Sequence, residues 1–210
     1  MIRAAIARGL SGIAITDHNT CEAHAYLAQT GVPDGFLVVP GVEVSTAEGH
    51  LLCIGATLPQ LKGQPAKTVL RAIRDAGAVG IPAHPFDAWR AGIRQKTLDT
   101  LDLEALEVFN AAVTSSSHNA RAHAYAESRG LAMTASSDAH HDCAVGIATT
   151  VFELSEPTLP ALLEALRHGQ GKPEGRRLTF REAMQKNLAN WLRWKNPRPP
   201  RQGQRACENS

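Results

Sequence analysis

The sequence predicts an α/β fold in which βα units surround a mainly parallel sheet, and two observations carry that prediction. Short apolar runs of strand length alternate with amphipathic stretches of helix length, the spacing expected when crossover helices join neighbouring strands. The conspicuous polar residues Asp17, His18, Glu43, His84, Asp138 and His140 follow such runs, where α/β proteins assemble their chemistry.

Taken in order, Met1–Arg8 reads as a helix leading into the strand Gly12–Thr16 (GIAIT). It lacks the long apolar centre and cleavage site of a secretory leader. Glu22–Gln29 is the next helix, Phe36–Val39 (FLVV) and Leu51–Gly55 (LLCIG) are strands, and Pro65–Ala76 is a helix. The strand Ala78–Pro82 (AVGIP) follows, then the strand Ala105–Phe109 (ALEVF), the helix Ser117–Arg129 and the strand Leu131–Ala135 (LAMTA). Pro157–His168 reads as a helix and Lys172–Arg177 as a loop. Phe180–Trp194 is an amphipathic helix whose Met184, Leu188, Trp191 and Leu192 share one face. From Asn196 onward, prolines with scattered Arg and Gln read as a disordered tail. The organisation expected is a domain over 1–175, a helical extension over 176–195 and a basic Pro-rich tail over 196–210.

With 210 residues, 43% hydrophobic and 20% charged, the chain can bury one substantial core. The apolar stretches are broken by Gly, Pro or charge within a few residues, which excludes a membrane span. Cys21, Cys53, Cys143 and Cys207 have no paired spacing, so reduced thiols in a cytoplasmic protein are expected. The net charge of +2 conceals an asymmetry: residues 1–175 hold 13 basic and 18 acidic side chains, whereas residues 176–205 hold nine basic and one acidic. That basic end reads as a solvated extension before it reads as a nucleic-acid contact.

Imidazoles and carboxylates at several separate strand ends form a ligand set suited to Zn²⁺, Mn²⁺ or Fe²⁺. Each residue alone reads more readily as structural, and the joint placement makes the case. The segments GLSGIAITDHNT (9–20), VVPGVEVST (38–46), GHLLCIGA (49–56), GIPAHPF (80–86), LEALEVFNA (103–111) and TASSDAHH (134–141) resemble, in order and spacing, the PHP (polymerase and histidinol phosphatase) superfamily of metal-dependent phosphoesterases. The resemblance covers roughly residues 1–153.

It implies a distorted (β/α)7 barrel with two or three divalent metals, Mn, Fe or Zn, at the carboxyl ends of its strands. His18, Glu43, His84, Asp138 and His140 match the family's metal ligands, with Glu43 as the bridging carboxylate. Asp17 would orient its neighbour or a water, and Asn110 would face the pocket. His50 stands either at the pocket rim or in a structural position. The implied reaction is hydrolysis of a phosphate ester, with a nucleotide, an RNA end or a small-molecule phosphate as substrate. Arg90, Arg94 and Arg121 are the guanidinium groups available to clamp phosphate, and His141 is available to protonate the leaving oxygen.

The family normally opens with a strand bearing H-x-H, and this sequence contains none. The expectation is therefore a barrel lacking its first strand, arising from a start codon placed too far downstream or from genuine shortening. A catalytically impaired relative serving as a binding or regulatory module is the alternative function.

Overall fold

The computed structural model describes residues 1–177 and Thr179. The expected helix Phe180–Trp194 and the tail from Asn196 lie outside the described residues.

A helix α1 (Ile2–Ala7) enters strand β1 (Gly12–Ile15), and α2 (Glu22–Thr30) returns to β2 (Leu37–Ser45). These two strands pair in parallel, Gly12 opposite Leu37 through Ile15 opposite Pro40. β2 then turns directly into β3 (His50–Ile54), antiparallel to it, and α3 (Ala66–Asp75) leads to β4 (Val79–Pro82), antiparallel to β3. A short α4 (Gln95–Leu98) precedes β5 (Ala105–Asn110). From β5 the helix α5 (Ser116–Arg129) crosses to β6 (Ala132–Ser136), which pairs with it in parallel. Last come β7 (Ala148–Val151), α6 (Leu159–Arg167) and β8 (Lys172–Gly175), with β7 and β8 antiparallel.

The result is a mixed α/β fold of one four-stranded sheet and two two-stranded sheets, none of them closed among the described residues. The mainly parallel sheet expected from the sequence is corrected: β2 and β3 pair antiparallel because the turn between them is too short for a crossover helix, and β3 and β4 also pair antiparallel although α3 lies between them. Glu43 lies inside β2 and not beyond its end. Pro40 lacks the N–H that a continuous ladder needs, but β2 changes partners there. It pairs with β1 up to Pro40 and with β3 from Gly41. A side chain at Gly41 would meet the carbonyl of Cys53 at 2.5 Å, so the switch requires glycine. Lys172–Gly175 is a strand and not a loop; its sequence KPEG is a polar edge strand with no apolar alternation to reveal it.

Two apolar clusters hold the sheet. Val69, Leu70 and Ile73 of α3, spaced at helical intervals, pack on Val42, Val44, Leu51 and Cys53. Leu163 and Leu166 of α6 pack on Val39, Ile54, Val79, Ile81 and Ala105. Strand alternation turns Glu43 away from its α3-facing neighbours Val42 and Val44. A buried carboxylate is thereby set on the inner side of the sheet.

Candidate metal centre

Glu43, buried at 7% exposure, is the hub of the site. Its Oε1 lies 2.8 Å from Nδ1 of His50 and 3.4 Å from Nε2 of His84, and its Oε2 lies 3.7 Å from Nε2 of His18. His18, Glu43 and His50 each offer a ligand atom, all within 4.8 Å of one another.

Local backbone chemistry brings these groups together. Beyond β1 the chain stays alongside β2: Glu43 N–H donates to the carbonyl of Asp17, and Asn19 N–H donates to that of Glu43. The Asn19 side chain accepts from Ser45 N–H at 2.8 Å and donates to Ser45 Oγ at 3.0 Å, with Asn19 itself at φ +55°. This clamp places His18 beside Glu43. His50 opens β3 opposite Ser45, two residues along β2 from Glu43. His84 and Asp138 follow β4 and β6 with φ of +33° and +47°. Such left-handed conformations are costly for side-chain-bearing residues and gather at functional sites.

Asp138 forms the other side of the cluster. Its Oδ2 pairs with the Arg90 guanidinium and accepts from Asn110 Nδ2 at 3.1 Å, and its Oδ1 lies 3.5 Å from Nδ1 of His140. The imidazoles of His18 and His140 approach with ring centres 6.2 Å apart.

Beneath both halves lies Glu107, 2% exposed. It accepts from His84 N–H at 2.5 Å, Ser136 Oγ at 2.5 Å and Asn110 Nδ2 at 3.0 Å. Glu107 and Asn110 would face opposite sides of a regular strand. The register of β5 shifts between Glu107 and Phe109, which brings both to the same side.

Burial would raise the pKa of Glu43, but the adjacent imidazoles of His50 and His84 and the charge of His18 outweigh it and hold the group well below the usual carboxylate range. Burial likewise works against the ionised form of Asp138, and Arg90 reverses the balance, so its pKa is lowered. Glu107 is raised, because burial dominates there. His84 is raised by Glu43 and Glu107 despite its burial.

The remaining residues expected from the sequence divide clearly. Asn110 and Arg90 join the cluster. Asp17 is exposed and contributes its backbone carbonyl. His141 sits next to His140 at the start of a 3-10 turn, its carbonyl accepting from Ala144 N–H. Arg94 lines a separate cavity of about 280 Å³ that borders His50, with Thr46, Glu48 and Gly92 in its wall. Arg121 is committed elsewhere: it donates to Gln95 at 2.9 Å and lies over the Phe86 ring, 4.4 Å from its centre. It braces α5 on α4. His118 and His123 stand apart from the cluster, and His118 lies 3.5 Å from Asp87.

Glu107, Asp87 and Asn19 are absent from the sequence-based set. A lone glutamate in the apolar run ALEVF was the available signal for Glu107. No signal marks Asp87, whose carboxylate is fully buried and accepts from Thr114 N–H at 2.8 Å and Thr114 Oγ1 at 3.0 Å.

The donor set suits a divalent cation. Among the described residues, Glu43 Oε1, His50 Nδ1 and His84 Nδ1 are buried side-chain atoms without a hydrogen bond. Nδ1 of His50 approaches Oε1 of Glu43 without the alignment of one. Buried polar atoms are seldom left so, and the lone pairs of Glu43 Oε1 and His50 Nδ1, which lie together, are what Mn²⁺, Fe²⁺ or Zn²⁺ accept. The open Nδ1 of His84 is the ring nitrogen that does not face Glu43.

Residues 116–170 match a family model described as PHP-associated. An uncharacterized protein of Methanocaldococcus jannaschii is 30% identical over 111 residues, which cover 53% of this chain and 64% of that protein. The chain thus spans somewhat less than two thirds of that relative. Among solved structures it is similar to PsfC from Pseudomonas syringae (TM-score 0.68, 19% identity, covering 92% of this chain and 87% of the other). It is also similar to a two-domain protein from Bacteroides vulgatus containing a predicted PHP-like metal-dependent phosphoesterase (TM-score 0.64, 19% identity, 83% and 59%). A third similarity is to a lesion-specific endonuclease from Pyrococcus furiosus (TM-score 0.59, 17% identity, 82% and 51%). At these identities the likeness is one of fold.

Proposed function

We propose that the chain is a member of the PHP superfamily and that it hydrolyses phosphate esters with divalent metal ions bound around Glu43. The single observation that carries the reading is the convergence of His18, His50 and His84 on one buried, ionised carboxylate. The strand succession from β1 to β7 reads as the arc of a distorted (β/α)7 barrel, and a cytoplasmic setting goes with the scattered cysteines.

In this reading His18, Glu43 and His50, with His84 beside them, would hold one ion, and Asp138 and His140 would hold a second, with Glu43 serving both. Divalent cations there would supply Lewis acidity toward the phosphoryl group and a hydrolytic nucleophile near neutral pH. The protein's own groups set the conditions. Glu43 stays a carboxylate at working pH because imidazoles surround it, so no proton must be displaced before it ligates. Arg90, 20% exposed at the edge of the cluster, presents a planar fork that matches phosphoryl oxygens. In the same reading His141, next to His140, would give a proton to the leaving oxygen, and Asp17 would orient a water. A nucleotide, an RNA end and a small phosphate ester are all compatible with this arrangement.

The test is turnover of a panel of phosphate esters by protein loaded with Mn²⁺, Fe²⁺ or Zn²⁺. His84→Ala and Asp138→Ala are expected to abolish hydrolysis while circular dichroism shows a folded protein. Near-normal turnover in both variants would remove the site assignment. A wild type that holds metal yet turns over no ester would favour the binding-module alternative.

A further inference from the structure

Asp138 differs from Glu43 in one respect that the metal reading must meet: its carboxylate is already paired with a guanidinium through Oδ2, while Oδ1 faces His140. Oδ2 pairs with the Arg90 guanidinium and also accepts from Asn110, which in turn accepts from Arg90 Nη1 at 3.2 Å. The three side chains close a ring. Asp138 is 10% exposed and Arg90 20%, so this charge pair is largely removed from water, where a carboxylate deprived of its cation is strongly disfavoured.

The backbone that carries Arg90 is rigid. Asp87 anchors it through Thr114 on one side, and the carbonyl of Asp87 accepts from Arg90 N–H and Gly92 N–H. Ala91 accepts from His50 N–H, which ties the same loop to β3. Any departure of the guanidinium therefore requires rotation of a side chain and not movement of the loop.

We infer that Arg90 is the resident counter-ion of Asp138 and exchanges with a divalent cation, so that the cluster loads in two unequal steps. The inference rests on the proposed function, since it concerns the same site. The group of His18, Glu43 and His50 accepts an ion with no cation to expel. The Asp138 end accepts one only as Arg90 leaves, and the work of breaking a bidentate-capable, desolvated pair is subtracted from metal affinity. Reciprocity follows: an ion at Asp138 frees the guanidinium to turn toward a phosphoryl oxygen.

The experiment is Mn²⁺ titration of the full chain by calorimetry, with metal analysis after equilibrium dialysis. The wild type is expected to hold one ion tightly and a second at least about tenfold more weakly, a gap within the usual range of coupling between sites. Arg90→Ala is expected to tighten the second ion by about tenfold or more and leave the first within about twofold. Asp138→Asn is expected to remove the second ion alone. If Arg90→Ala does not fold, Arg90→Gln keeps a hydrogen-bonding group without the charge and is read the same way. Two equal ions in the wild type, or a second ion unchanged or weakened by loss of Arg90, would overturn the inference. No tight ion at all in the wild type would instead count against the proposed function.

Discussion

Oε2 of Glu107 accepts the backbone N–H of His84 at 2.5 Å, across the gap between two sheets that share no ladder. The bond lies at the point where the chain leaves β4 with φ +33°, a conformation that non-glycine residues hold only when their surroundings enforce it. Glu107 thus sets the direction of the imidazole that approaches Glu43 without touching the reacting region itself. It acts as a positioning residue.

Replacing it tests that role. Glu107→Ala leaves His84 N–H and Ser136 Oγ without their buried acceptor and is expected to cost about 1–3 kcal/mol in chemical denaturation. Metal affinity is expected to fall with it, because His84 loses its fixed orientation. Glu107→Gln retains one acceptor oxygen and should recover most of the stability. Equal loss in both variants would mean that the charge, and not the hydrogen bonds, holds the site.

Asp87 gives a pH signature. Burial would raise its pKa, but the two hydrogen bonds from Thr114, with His118 and Arg90 nearby, lower it below the usual aspartate value. A carboxyl depressed in the folded state binds fewer protons than in the unfolded state. Its stabilisation is therefore complete above the unfolded pKa of about 3.9 and lost as pH falls through the lower folded value. Urea denaturation between pH 6 and pH 2, read as a difference from Asp87→Asn, should show the wild-type advantage disappearing at about pH 4 and below. An advantage independent of pH would assign Asp87 a purely steric role.

The cysteines answer to chemical labelling. Burial pushes the Cys53 thiol up to about 11, whereas Cys143 is exposed beside His141 and Asp142. The thiolate is the reacting form. Iodoacetamide at pH 8 should modify Cys143 in the native protein and Cys53 only after denaturation, with peptide mass mapping as the readout. Native modification of Cys53 would show that the sheet under α3 opens readily.

How far the sequence reveals this architecture depends on whether a feature has a local cause. GIAITDH and SSDAHH announce themselves because a β-rich run ends directly in ligand-type residues, and the clustering of His18, His84 and Asp138 follows from strand ends meeting at one side, with Glu43 reaching them from within β2. Glu107 stays hidden because a single charge in ALEVF looks like a solvent-facing position. Only the register shift in β5, set by pairing with β6, turns it inward beside Asn110. β8 stays hidden because it owes its strand conformation to β7 and nothing to its own residues, Lys172, Pro173, Glu174 and Gly175. Arg121 misleads for the opposite reason. An arginine near a phosphate site has the right chemistry, but the aromatic face of Phe86 and the side chain of Gln95 claim it first.

The loop that carries Arg90 also depends on one glycine. A Cβ on Gly92 would stand 2.2 Å from the carbonyl oxygen of His84 and about 3 Å from the backbone of Asp87, contacts with main chain that no side-chain rotation can relieve. Gly92→Ala must therefore spread the two legs of the loop, which are joined by Gly92 N–H to the Asp87 carbonyl at 2.8 Å and Phe86 N–H to the Ile93 carbonyl at 3.2 Å. Overpacking of this kind typically costs about 1–3 kcal/mol, and here the displacement falls on His84 and Arg90 together. Mn²⁺ affinity measured by titration is expected to drop with stability. Gly63→Ala is the matched control: at φ +78° it pays about 1–2 kcal/mol for a left-handed alanine, but no atom lies within 4 Å of the new methyl group. It should lower the denaturation midpoint and leave Mn²⁺ affinity unchanged. If Gly92→Ala binds Mn²⁺ as the wild type does, the spacing of this loop is not what positions His84, and Glu107 alone fixes it.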